Sequence, residues 1–89
     1  MLPGDDLVRS GLEDLDSGVE SPAALLVAMA APRLRRLGVP APPGPAGDPS
    51  HRLYEILAEE DRATAHSRYN ALVGQVVSYA RALERARAG

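Results

Sequence analysis

Cysteine, lysine, phenylalanine and tryptophan are all missing from this 89-residue chain, and each absence narrows what the protein can be. Without cysteine there is neither a disulfide framework nor a thiolate metal site. Without phenylalanine or tryptophan the core has to be built mainly from twelve Leu, seven Val, one Ile and two Met. Burying such side chains contributes roughly 1.5–3 kcal/mol each, while ordering the chain costs roughly 1.5 kcal/mol per residue. The two sums come close to balance, and small chains in that position commonly gain stability by oligomerising. A homo-oligomer is therefore expected. The absence of lysine makes all ten basic residues Arg, and Ala is the commonest residue. This composition reads as the codon bias of a GC-rich bacterial genome, which weakens Arg content as a sign of nucleic-acid binding. No apolar run is long enough to span a bilayer: Ala23 to Ala31 is about half the required length and ends at Pro32. The acidic opening through Asp5 and Asp6 lacks the basic leader of a secretory signal, so the expected location is cytoplasmic.

The remaining composition, with a net charge of −2 and 45% hydrophobic residues, suits one folded domain. A first helix is predicted from about Asp5 to Ser17, capped by Asp5 or Asp6. Val8, Leu12, Leu15 and Val19 form its apolar face. Gly11 weakens its interior, and Gly18 suits the left-handed closing position. A second helix is predicted over 21–37, with Ser21 as N-cap and Pro22 in the first turn. Its face is Val27, Ala30, Leu34 and Leu37, with a kink or restart at Pro32 and a stop at Gly38.

Residues 38–48, rich in Pro and Gly, read as an extended linker of polyproline character between two helical halves. Such a linker allows the second half to lie far from the first or to pack on a neighbouring subunit. Its Pro40 and Pro43 match the spacing of a weakly specific polyproline ligand motif. Asp48 and Pro49 open a third helix that reaches about Glu60 and carries Leu53, Ile56 and Leu57. A fourth is predicted from about Arg62 to Ala86. Asp61 favours a turn between these two, the alternative being one continuous helix from Pro49 to Ala86. No strand pattern survives. The predicted fold is all-α, a small three- to four-helix bundle, either self-contained or intertwined as a dimer.

Four residues suggest a polar site. Arg62, His66, Tyr69 and Asn70 would share a helix face and offer a cation, an imidazole, a phenol and an amide. They suit gripping a phosphate, or proton transfer and charge stabilisation in RNA cleavage. The simpler reading, which we favour, has His66 and Asn70 hydrogen-bonded across a helix pair and Tyr69 buried to its hydroxyl. A weak internal echo runs through this region. His51 and Tyr54 are three apart, as are His66 and Tyr69, and each pair is followed three residues later by Leu57 or Leu72. A metal reading would need Glu55, Glu59 and His66 to converge across a helical hairpin. With two histidines in the chain, His51 and Glu55 are better read as an exposed helical pair. No metal and no cofactor is expected.

Charge is segregated along the chain. Residues 1–20 hold six acids against Arg9, whereas Arg33, Arg35 and Arg36 cluster at the end of the second helix, and Arg81, Arg85 and Arg87 near the C-terminus. These Arg clusters are the candidate anion contacts of a nucleic-acid reading. Helix dipoles, or pairing of acidic and basic segments, explain the same distribution. No glycine-rich phosphate loop and no nucleophile elbow is present. The leading expectation is a protein-interaction module, self-associating and binding a protein partner, of accessory, antitoxin-like or immunity type and without enzymatic activity. Its expected interface is Tyr69, Leu72, Val73, Val76, Val77, Tyr79 and Leu83, because the fourth helix is apolar on more than one side. Nucleic-acid or nucleotide binding and an enzyme centred on His66 are the second and third readings.

Overall fold

The computed structural model describes residues 2–44 and 47–88, so Pro45 and Ala46 of the linker lie outside the described residues. Four helices follow in order: α1 (Asp5–Asp16), α2 (Pro22–Arg36), α3 (Pro49–Glu60) and α4 (Ala65–Ala88). The described residues contain no strand. The chain is an all-helical bundle with two apolar clusters. One joins Leu25 and Leu26 of α2 to Leu53 and Leu57 of α3 and to Ala65 and Val76 of α4. The other joins Val8 of α1 to Val27 and Leu34 of α2 and to Tyr79 of α4. α2 contributes to both and is the central helix.

Local chemistry sets most helix ends. Ser21 Oγ accepts from Ala24 N–H at 3.1 Å and donates to Asp14 Oδ2 at 2.6 Å, so one hydroxyl caps α2 and ties it to α1. Asp48 accepts from Ser50 N–H at 3.0 Å, with Pro49 in the first turn of α3. α1 and α2 both close with a left-handed glycine. At α2, Val39 N–H bonds the Leu34 carbonyl and Gly38 N–H the Arg35 carbonyl. At α1, Val19 and Gly18 make the same pair of bonds to Asp14 and Leu15. These paired bonds satisfy carbonyls that a helix end leaves free.

Three predicted features differ. The N-cap of α1 is Gly4, with φ of 77° and no side-chain cap. Asp5 and Asp6 instead sit in the first turn, where the dipole favours them. α2 runs unbroken through Pro32, so there is no restart; the proline is exposed, and the hydrogen bond it removes falls on the outside of the bundle. Gly11 is not merely a weak point. It is buried, and a Cβ there would lie 2.5 Å from Val27 Cγ2 and 2.8 Å from the Ala23 carbonyl carbon. A residue that costs helix propensity lets the backbones of α1 and α2 meet.

The linker doubles back along α2. Val39 and Ala41 pack against the second cluster. Arg35 donates to the Ala41 carbonyl at 3.0 Å and the Pro42 carbonyl at 3.2 Å, and Gly44 lies against Ala28. The chain thus returns to the start of α2, where Arg52 of α3 meets Glu20 at 2.9 Å. The second half therefore packs on the first half of the same chain. α3 and α4 are separate helices. Asp61 is extended, with φ of −160°, and its carboxylate accepts from Ala63 N–H at 3.0 Å. α4 consequently starts at Ala65, not at Arg62.

Two outcomes follow from this packing. Gly11→Ala should destabilise the fold by about 1–3 kcal/mol, because overpacking outweighs the gain in propensity; the midpoint of urea unfolding measures it. Hydrogen bonds from Ser50 hold the Asp48 carboxyl below its ordinary value of 3.8. A depressed carboxyl stabilises the fold above its unfolded pKa, and this is lost as pH falls through the folded value. Asp48→Asn keeps a good cap but does not titrate. Its melting temperature should therefore fall less than that of the wild type between mildly acidic pH and pH values below 3.8.

Candidate interaction surface

α3 and α4 form a hairpin that brings part of the polar set together. His66 is exposed, and Asn70 Nδ2 donates to its Nε2 at 3.2 Å. Tyr69 is half-buried, with its ring 5.7 Å from that of Tyr54; His66 lies 6.5 Å from Tyr54. The hydrogen bond runs along α4 and not across a helix pair. Arg62 belongs to the turn before α4, so it does not share a helical face with the other three. Tyr54 is the member that the sequence reading of the site left out. The echo of His and Tyr three apart was its signal, since it places one aromatic pair on each arm of the hairpin.

Among the described residues, no group of three or more His, Asp or Glu is placed to hold a metal. Glu55, Glu59 and His66 therefore do not form the convergent set considered above. His51 Nε2 lies 3.3 Å from Glu55 Oε1, as an exposed helical pair. No polar or charged side chain among the described residues is buried. The patch presents an imidazole, an amide and two phenols at or near the surface.

The Arg clusters are partly committed. Arg33 grips Glu84 Oε1 through Nε at 3.0 Å and Nη2 at 2.8 Å, tying α2 to α4, and Arg35 holds the linker. Arg36, Arg81 and Arg85 are exposed. The guanidinium of Arg87 lies against Gly38 at the end of α2. Acidic and basic segments also pair within the chain, through Glu20 and Arg52. The Glu20 carboxylate raises the Arg52 pKa by hydrogen bonding and charge.

The expected interface residues divide by burial. Val76 and Tyr79 are 5% and 8% exposed and belong to the core of their own chain. Tyr69, Leu72, Val73, Val77 and Leu83 are half-buried at its margins. Val73, Val76 and Val77 line one side of an open groove of about 260 Å³, with Leu26, Met29, Ala30 and Arg33 of α2 on the other. The α2 residues were not foreseen, because their proximity depends on how α2 and α4 pack. Arg33 meets Glu84 and Gly38 meets Arg87, so the two helices ascend together. A second cavity, about 270 Å³, lies between the α1–α2 turn and the linker at Val19, Leu25 and Pro43. Among the described residues, no helix is long and apolar enough to cross a membrane. Comparison with protein-family models, with curated proteins and with solved structures returned no match.

The Tyr54–Tyr69 contact should couple α3 to α4. A double-mutant cycle with Tyr54→Ala and Tyr69→Ala, read by chemical denaturation, should give a coupling of about 0.5–1.5 kcal/mol. Additive single effects would show that the rings are neighbours without mutual stabilisation.

Proposed function

We propose that this protein is a small helical interaction module that acts by binding protein, first of all a further copy of itself, and not by catalysis. In class it is an accessory, antitoxin-like or immunity-type binding protein of the bacterial cytoplasm. The observation that carries this reading is the open apolar groove between α2 and α4. It sets half-buried Met29, Val73 and Val77 at the surface of a chain with few large side chains to spare. A groove of this kind favours apolar side chains from a partner. Nucleic-acid binding through Arg33, Arg35 and Arg36 draws less support, because the first two are engaged within the chain. An enzyme centred on His66 draws less still, since that imidazole stands exposed beside an amide and two phenols.

Two adjacent valines provide the test. Val77→Asp should leave the helical circular dichroism intact and reduce an oligomeric mass in light scattering to that of the monomer. Val76→Asp should instead unfold the chain, because it puts a carboxylate into a core that has no partner for it. A wild type that remains monomeric at high concentration, or a Val77→Asp variant of unchanged mass, would refute the proposal.

A further inference from the structure

We infer that the proline-rich linker of one copy docks on a second copy, with Pro40 and Pro43 seated against the Tyr54 and Tyr69 rings at the head of the α2–α4 groove. This rests on the self-association proposed above and adds the segment that enters the groove. Every residue from 39 to 43 is a proline or precedes one. Proline fixes φ at about −65° and confines the residue before it to extended backbone, so this stretch has polyproline geometry with three residues per turn. Pro40 and Pro43 therefore share one edge. The burial pattern follows that period: Pro40 and Pro43 are exposed, whereas Val39, Ala41 and Pro42 are half-buried. Val39 and Ala41 pack on the core, and Arg35 holds the Ala41 and Pro42 carbonyls. Two edges thus fasten the segment to the bundle. The third is a ridge of two prolines about 9 Å apart, from the polyproline rise over three residues.

Proline ridges of this kind dock on aromatic-lined grooves, and the chain carries an aromatic surface that its own core leaves uncovered. Tyr54 is 38% exposed and Tyr69 is half-buried. Their rings lie 5.7 Å apart and are tilted by 58°, which makes a wedge-shaped seat. Tyr69, Val73 and Val77 follow at steps of four along α4, and the two valines line the groove, so seat and groove are continuous. The ridge is already ordered in the free chain, so docking it costs little conformational entropy. One molecule cannot close this contact on itself. Leu26 and Arg33 line the groove, whereas Ala28 and Arg35 meet the linker. Each pair is offset by two residues, about 200° around α2, so groove and ridge occupy opposite sides of that helix. A second copy is required, joined front to back in a heterologous contact.

Two variants of the full chain separate the halves of the contact. Pro40→Glu with Pro43→Glu removes the ridge and keeps the seat, and Tyr54→Ala removes the seat and keeps the ridge. With circular dichroism unchanged, each should raise the Kd of self-association tenfold or more. An equimolar mixture should recover a species of two chains, because one variant supplies the seat and the other the ridge. Either variant assembling as the wild type does, or a mixture that stays monomeric, would overturn the docking while leaving self-association standing. A measurement on the unaltered chain covers the case in which a variant fails to fold. Its three tyrosines are Tyr54, Tyr69 and Tyr79, and Tyr79 is buried in the core. On dilution through the dissociation range, the ring proton resonances of Tyr54 and Tyr69 should shift while those of Tyr79 stay in place. Stationary Tyr54 and Tyr69 signals would also overturn the docking. A wild-type mass of one chain at high concentration would instead overturn self-association itself, and this inference with it.

Discussion

Four residues in a row, Ala24, Leu25, Leu26 and Val27, are buried in α2. Successive side chains on a helix point about 100° apart, so burying four together requires neighbours on every side. α1 covers one side through the close contact at Gly11, α3 another through Leu53 and Leu57, and α4 a third through Val76 and Tyr79. The rest of the structure depends on this enclosure. Both apolar clusters meet at α2, the linker is laid against it, and the groove exists because α4 leaves one of its margins open. In a chain without phenylalanine or tryptophan, a central helix enclosed by three others over Ala24–Val27 is one way to make small apolar side chains suffice.

The linker is consistent with this constraint. Its prolines cannot donate backbone hydrogen bonds and cannot continue a helix, and its carbonyls need donors. Arg35 supplies them to Ala41 and Pro42 from the last turn of α2. Arg33, two residues earlier, reaches Glu84. A run of arginines that looks like an anion-binding cluster thus divides its work between fastening the return segment and fastening α4. The same residue type at the same helix end also complements the dipole, so sequence proximity alone says little about which charge each guanidinium meets.

The elements legible in the sequence are those determined within a few residues. Ser21 with Pro22, Asp48 with Pro49, and the closing glycines Gly18 and Gly38 act through bonds to their own turn, and the structure has them as read. Asp61 separates α3 from α4 by the same local means. What was not legible depends on partners distant in sequence. Gly11 reads as a defect until α2 lies against it. Pro32 reads as a break until its exposed position is known. Val76 and Val77 are identical in type, adjacent, and both on the groove, yet Val76 is buried in the core and Val77 only half-buried, because the direction from which α2 approaches α4 decides between them. For the site, the echo of His and Tyr hinted at the Tyr54–Tyr69 contact, but only the hairpin turn at Asp61 brings the two copies face to face.

An open apolar margin on so small a protein has an energetic consequence. Half-buried valine and methionine side chains forgo part of the roughly 25 cal/mol per Å² that full burial provides, and a chain with a modest core has little stability in reserve. The proposed association would recover that loss. A partner that binds the folded chain and not the unfolded one adds RT ln(1 + [L]/Kd), about 2.7 kcal/mol at one hundred times Kd, comparable to a sizeable part of a small domain's stability. Folding and assembly are then linked. If the chain self-associates as proposed, a substitution at the groove lowers stability in proportion to the oligomer it removes, whereas one at Gly11 or Val76 does so at any concentration. The dependence of the unfolding midpoint on protein concentration therefore distinguishes a residue that serves the core from one that serves the interface.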